Sequence, residues 1–167
     1  FTQISSCLFH NFNRIIKSIN PSCHTSVIPI ADGGEGLLDV LITATKGKYI
    51  TLSAHGPLMK MTKTHYGLSG NGRTAIIEMA AISGLPLVPI EQRNPMLTTT
   101  FGTGELIKDA LNKGCRNFII GIGGSATNDA GLGMLQALGF RFLDKSGHTL
   151  GTGGQIMEAV ANIDTSG

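Results

Sequence analysis

Residues 117–138, NFIIGIGGSATNDAGLGMLQAL, decide how the rest of the chain is read. Phe118, Ile119, Ile120 and Ile122 form the short apolar run that a buried strand requires. The run dissolves into Gly121, Gly123, Gly124, Ser125, Thr127 and Asn128. After Asp129 the apolar positions Leu132, Met134, Leu135 and Leu138 fall at helical spacing. Strand, glycine-rich turn and helix start, in that order, aim backbone N–H groups and the positive end of a helix at an anion. Glycine allows the close backbone approach, and no lysine is needed for it. The stretch therefore points to a phosphate or carboxylate site.

Composition sets the class. At 167 residues the chain fits one domain of ordinary size, or one domain with a piece of another. A hydrophobic content of 41% supplies a packed core and argues against a disordered polypeptide. The 23 glycines are about double the usual share of roughly 7% and follow no collagen-like period. They gather between apolar runs, as in α/β proteins whose loops approach ligands closely. Thirteen basic and 11 acidic residues leave a net charge of +2 without a block of like charge, so no nucleic acid and no membrane partner is expected. Cys7, Cys23 and Cys115 lack metal-site spacing and read as free thiols of a reducing, cytoplasmic compartment. The five histidines are scattered, with no pair at i, i+4. No apolar stretch reaches the roughly 18 residues of a spanning helix, and no signal peptide is evident.

In chain order, residues 2–20 carry Ile4, Cys7, Leu8, Phe12, Ile15, Ile16 and Ile19 at helical spacing, with Pro21 as the stop. A core-packing amphipathic helix is expected there. Residues 24–30 read as a strand that runs into Asp32-Gly33-Gly34-Glu35-Gly36, and residues 37–45 as the following helix. Strands are expected at 48–53, 62–68 and 74–79, separated by turns at His55-Gly56-Pro57 and Ser69-Gly70-Asn71-Gly72, hence an antiparallel portion. Pro86, Pro89 and Pro95 mark an irregular loop containing Arg93 and Asn94. Thr98-Thr99-Thr100-Phe101-Gly102-Thr103 leads into another helix with Thr103 as the expected N-cap. Residues 140–143 read as a strand and 155–161 as a helix. The fold class expected is α/β with two lobes: a Rossmann- or flavodoxin-like parallel-sheet lobe, of which residues 1–50 are part, and a second, mixed lobe with antiparallel strands over 51–167.

Several chemistries compete for these motifs. Gly121-x-Gly123-x-x-Ala126 satisfies a dinucleotide fingerprint, and Asp144 stands about 20 residues on, where a ribose-binding acid belongs. A nicotinamide-dependent oxidoreductase is therefore the alternative function, opposed by the polar run Ser125, Thr127, Asn128, Asp129 ahead of the helix. There is no Walker-type lysine and no completed nucleophile elbow. Asp32, Glu35 and Asp129 are suited to holding Mg²⁺ or accepting a proton from an alcohol, with helix capping as the plain structural reading. Glu78, at a strand end, reads equally as a buried partner. Arg93 offers a planar fork to a carboxylate, with loop anchoring as the counter-reading. Phosphoryl transfer suits this set, because it asks for positioning and charge neutralisation more than for a nucleophilic side chain.

The blocks at residues 28–36 (IPIADGGEG), 75–85 (AIIEMAAISGL), 93–95 (RNP), 98–107 (TTTFGTGELI) and 121–129 (GIGGSATND) together resemble the glycerate kinase type I family, in its order and at about its spacing. The resemblance implies ATP- and Mg²⁺-dependent phosphorylation of D-glycerate, usually to 2-phosphoglycerate, in a cleft between two α/β lobes. It implies a small-molecule substrate and leaves a homodimer open. Carried onto these positions, Asp129 or Asp32 takes the glycerate proton or helps hold Mg²⁺, with Glu35 as a further metal ligand. Gly123, Gly124, Ser125, Thr127 and Asn128 cradle phosphate. Arg93, Thr100, Gly102, Thr103 and Glu78 hold the substrate. Family members begin with a strand and a segment resembling D-S-F-K-G-S and continue past the position of Gly167, so a fragment is expected. Ala130 stands where many relatives have glycine, a change expected to be tolerated.

Overall fold

The computed structural model describes residues 2–166 apart from Val27 and Pro29, and the backbone alone for residues 2–9. Helix α1 spans Thr2–Ile19 and α2 Leu37–Thr45, followed by strands β1 (Lys48–His55), β2 (Met61–Leu68) and β3 (Thr74–Glu78). A short helix α3 (Ala80–Ser83) and two single 3₁₀ turns lead to α4 (Phe101–Asn112), β4 (Asn117–Gly121) and α5 (Leu132–Ala137). The chain continues with β5 (Arg141–Leu143), a 3₁₀ segment at Gly154–Ala159 and β6 (Asn162–Asp164).

The protein is mixed α/β. Its larger sheet runs β1-β2-β3-β4, and β5 with β6 forms a second, two-stranded sheet. The tight turns between the first three strands give antiparallel pairs, with Lys48 opposite Leu68 and Gly67 opposite Ile76. The crossover through α4 brings β4 beside β3 in parallel, from Thr74 opposite Asn117 to Glu78 opposite Gly121. β3 is the hinge of this packing because it is buried on both faces. Ala75 and Ile77 pack with Tyr66, Leu106 and Ala110 beneath α4, whereas Ile76 meets Leu38 and Ile42 of α2. Each such aliphatic side chain contributes about 2 kcal/mol by leaving water, which explains why β3 reads as an unbroken apolar run. Tyr66 donates its hydroxyl to Asp109 Oδ2 at 2.8 Å and so bonds β2 to α4. Burial, reinforced by that bond, pushes its phenol above the ordinary tyrosine range and keeps the donating proton in place.

Several expectations are corrected here. Residues 24–26, 28 and 30 lie in no strand, and the remaining two positions of that expected strand lie outside the described residues. Helix α1 forms, but among its described side chains Phe12, Ile15, Ile16 and Ile19 are exposed and not packed into the core. α4 begins at Phe101, which places Thr103 inside the helix and Thr100 at the N-cap position. Gly154–Ala159 is 3₁₀ rather than α-helical. Among the described residues no helix is long and apolar enough to cross a membrane.

Candidate functional site

In an open α/β sheet a ligand crevice lies beyond the carboxyl ends of parallel strands. β3 and β4 end level, Glu78 opposite Gly121, and the loops at that end are laced together by backbone bonds. Met79 N donates to Gly121 O at 2.9 Å, Gly123 N to Gly33 O at 3.1 Å, and Leu85 N to Gly124 O at 3.0 Å. Ala126 N donates to Ser83 O at 2.8 Å. Thr98 Oγ1 reaches across to Ala126 O, also at 2.8 Å. The two glycine-rich turns of the sequence thus lie side by side. A Cβ on Gly123 would come within 2.7 Å of Gly34 Cα, so only glycine permits this approach.

At this end is a pocket of about 260 Å³ between the proline-flanked loop and the turn after β4. Arg93, Asn94 and Thr98 line one side, Ser125, Ala126 and Thr127 the other, with Leu85 and Val88 as apolar floor. Arg93 is exposed and anchored by a bond of 3.3 Å from Nε to Val88 O. Among the described residues no carboxylate pairs with it, so its terminal nitrogens are open to a ligand. Ser125 Oγ and Thr127 Oγ1 lie 2.8 Å apart, and Thr127 N donates to Ser125 Oγ at 3.1 Å. A guanidinium and two hydroxyls lining one pocket of this size suit a small oxyanion.

Asp129 is 1% exposed and lies outside the pocket lining. Its Oδ2 accepts Thr100 N at 2.8 Å, Thr99 Oγ1 at 3.2 Å and Gly133 N at 3.2 Å. Its Oδ1 accepts Gly131 N at 3.1 Å, and the Thr100 hydroxyl donates to the carboxylate at 3.0 to 3.1 Å. Five donors from the starts of α4 and α5 therefore converge on one side chain. Two further expected residues also serve helix starts or the interior. Glu78 is 9% exposed, and its Oε1 takes Leu38 N at 2.7 Å, bonding β3 to the first turn of α2. Thr103 is fully buried against Ser83 Oγ at 2.9 Å.

The geometry reassigns several expected ligands. Thr100, Gly102, Thr103 and Glu78 face inward, and Thr98 is the member of the threonine run that lines the pocket. The amide of Gly123 is spent on Gly33, whereas among the described residues no carbonyl takes those of Gly124, Ser125 and Asn128. Asp32 and Glu35 are exposed on the turn beside Gly123, and Asp32 Oδ1 accepts Gly34 N at 3.1 Å. The dinucleotide arrangement is not formed. α5 starts at Leu132 instead of directly after the glycines, and β5 pairs with β6, not with β4. Asp144 instead closes its own turn, accepting Ser146 N at 2.8 Å and His148 N at 2.9 Å. The His148 amide bond is the main reason its carboxyl lies below the usual range.

Sequence reasoning missed the pairing of His55 with Glu105. Glu105 Oε2 accepts His55 N at 2.7 Å while its Oε1 meets His55 Nδ1 at 2.9 Å. The residues stand fifty positions apart, and no local signal links them. The pair secures the turn whose Pro57 O accepts Thr99 N at 3.0 Å. Among the described residues, no group of three or more His, Cys, Asp or Glu side chains is placed to hold a metal ion. Cys115 is buried and Cys23 half-buried, both as free thiols.

The family model for the glycerate kinase family matches residues 5–167. The chain is 53% identical over 154 residues to a glycerate kinase of Bacillus subtilis, covering 92% of this chain and 40% of that protein. It is 50% identical over 151 residues to the glycerate 2-kinase of Escherichia coli, covering 90% and 40%. A crystal structure from Salmonella typhimurium LT2, provisionally assigned as glycerate kinase 2, superposes with a TM-score of 0.82 at 50% identity, covering 90% of this chain and 41% of the other. The chain thus spans about 40% of the length of these relatives. With a match across nearly its whole length and these identities, the chain belongs to the glycerate kinase family.

Proposed function

We propose that the protein transfers phosphate from ATP to D-glycerate with the help of Mg²⁺, giving 2-phosphoglycerate, and that this chain carries the part of the site holding glycerate and the transferred phosphate. The observation that carries the proposal is the pocket that sets Arg93 against Ser125 and Thr127. Arg93 suits the glycerate carboxylate, because its fork can meet two oxygens at once. Asn94 and Thr98, in the same lining, suit the glycerate hydroxyls as further polar partners. The hydroxyls of Ser125 and Thr127 and the amides of Gly124, Ser125 and Asn128 suit phosphate oxygens. Asp32 and Glu35 fit Mg²⁺, which binds proteins through one or two carboxylates and completes its shell with water and phosphate oxygens. Bound there, ATP with its metal supplies the phosphoryl group and neutralises charge. Of the two aspartates in the glycine-rich turns, Asp32 is the exposed one and suits the glycerate proton, with Glu35 beside it for the metal. The name of the Escherichia coli relative favours the 2-hydroxyl as acceptor. We extend the proposal to a two-lobed whole protein acting in the cytoplasm, with the pocket in the cleft between lobes.

Phosphorus NMR of the protein with ATP, Mg²⁺ and D-glycerate tests this directly. The expected result is a new phosphomonoester resonance coupled to the proton on carbon 2. Coupling to carbon 3 protons would move the acceptor to the other hydroxyl, and the absence of any new resonance from folded protein would overturn the function.

A further inference from the structure

We propose that Asp129 is a positioning residue, the clamp that holds the two walls of the pocket in register, and not the group that takes the glycerate proton. The proposal rests on the functional reading of that pocket. A carboxylate offers about four lone-pair sites, and five donors already converge on this one within 2.8 to 3.2 Å. The donor protons are not free to turn away. Thr100 Oγ1 accepts Met134 N at 2.9 Å and Thr99 Oγ1 accepts Phe101 N at 3.3 Å, so both hydroxyls have their hydrogens left for Asp129. At 1% exposure and outside the pocket lining, the side chain has no vacant oxygen to turn toward a ligand in that pocket.

What the clamp holds is clear from its neighbours in sequence. Thr98, one residue before Thr99, lines one wall, and Ser125, Ala126 and Thr127 line the other just ahead of Asp129. The bond from Thr98 Oγ1 to Ala126 O joins the same two walls. Losing the clamp frees both loops together, and a displacement of about 1 Å in groups that position a substrate is enough to weaken its binding strongly.

Asparagine is not an innocent replacement. Its NH₂ at the Oδ2 position would confront Thr100 N and Gly133 N, and at the Oδ1 position Gly131 N. Steady-state assays of Asp129→Asn and Thr100→Val, with melting curves of both, separate the roles. A clamp predicts that both variants melt earlier, raise the KM for D-glycerate by about tenfold or more and hold kcat within about threefold, the threonine variant less severely. A well-folded Asp129→Asn with kcat down by about a thousandfold, unchanged KM and a normal Thr100→Val would make Asp129 the base and overturn the proposal. If Asp129→Asn does not fold, Thr100→Val decides: a normal KM overturns the clamp. If the parent protein phosphorylates nothing, the functional reading has failed by itself. The clamp is then judged by nitrogen-15 amide shifts, which must move at Thr98, Ser125 and Thr127 in Thr100→Val, and unchanged shifts there overturn it.

Discussion

Two turns in this protein share one sequence grammar and have different physics. Each is acidic and glycine-rich and each precedes a helix: residues 31–36 before α2, and the turn between β4 and α5. Asp32 in the first is exposed and accepts one amide. Asp129 in the second is buried and accepts five donors. The first helix start is satisfied from outside its own turn, by Glu78 at the end of β3, whereas the second is satisfied by Asp129 itself. What makes a carboxylate structural here is the number of donors that other segments bring to it.

The widest gap should appear on adding a methyl group in the first turn and in the helix start that follows the second. A Cβ at Gly133 would fall onto Thr99 Oγ1, 2.7 Å from Phe101 N and 2.9 Å from Asp129 Oδ2. Backbone cannot yield there, so Gly133→Ala should lower unfolding stability by about 3 kcal/mol. Gly33 has φ +89 but nothing within 4 Å of its Cβ position. Gly33→Ala should therefore lose only the strain of a left-handed alanine, about 1 kcal/mol. Urea unfolding of both variants measures the difference. Equal losses would mean that the second turn is no tighter than the first.

A smaller effect tests how the first helix start is held. Glu78→Ala removes the acceptor of Leu38 N and should cost about 2 kcal/mol, in the range for a lost cap with a buried donor left over. Glu78→Gln keeps an oxygen at that place and should cost under about 1 kcal/mol, the part owed to charge at a helix start. Thermal melts of the pair separate the two contributions. A Gln variant as weak as the Ala variant would assign α2 to the charge and not to the bond.

This difference also marks how far the sequence can be read. β3 was legible because burial on both faces leaves an unbroken apolar run, and the antiparallel strands because their turns are short and rich in glycine. Arg93, Ser125 and Thr127 are expected from the sequence as anion groups, and the fold brings them to one pocket. The duties of Asp129 were not, because Thr99 and Thr100 lie 30 and 29 positions upstream of it. N-cap preference alone cannot choose among the hydroxyls from Thr98 to Thr103, and Thr100 takes the N-cap place with its amide held by Asp129. The apolar run at 24–30 reads as a strand from its residue types, but a strand also needs a partner edge, which periodicity does not show. Amphipathic α1 fails in the same way: spacing specifies the helix but not what covers Phe12, Ile15 and Ile19.

The smallest predicted effect lies at the tip of the second turn. Ala130 has φ 51 and is followed by Gly131 at φ 76, so two successive residues are left-handed, and only one of them is glycine. An alanine in that region carries about 1 kcal/mol of strain. Ala130 is exposed, so removing its methyl group forfeits little buried area. Glycine would relieve the strain while giving back part of the gain through the greater freedom of the unfolded chain. Ala130→Gly should thus stabilise the protein by about 0.5 kcal/mol, seen as a higher urea midpoint at unchanged slope. A lower midpoint would show that Ala130 sits at ease in solution, and that the second turn holds its shape through Asp129 without strain in the residue beside it.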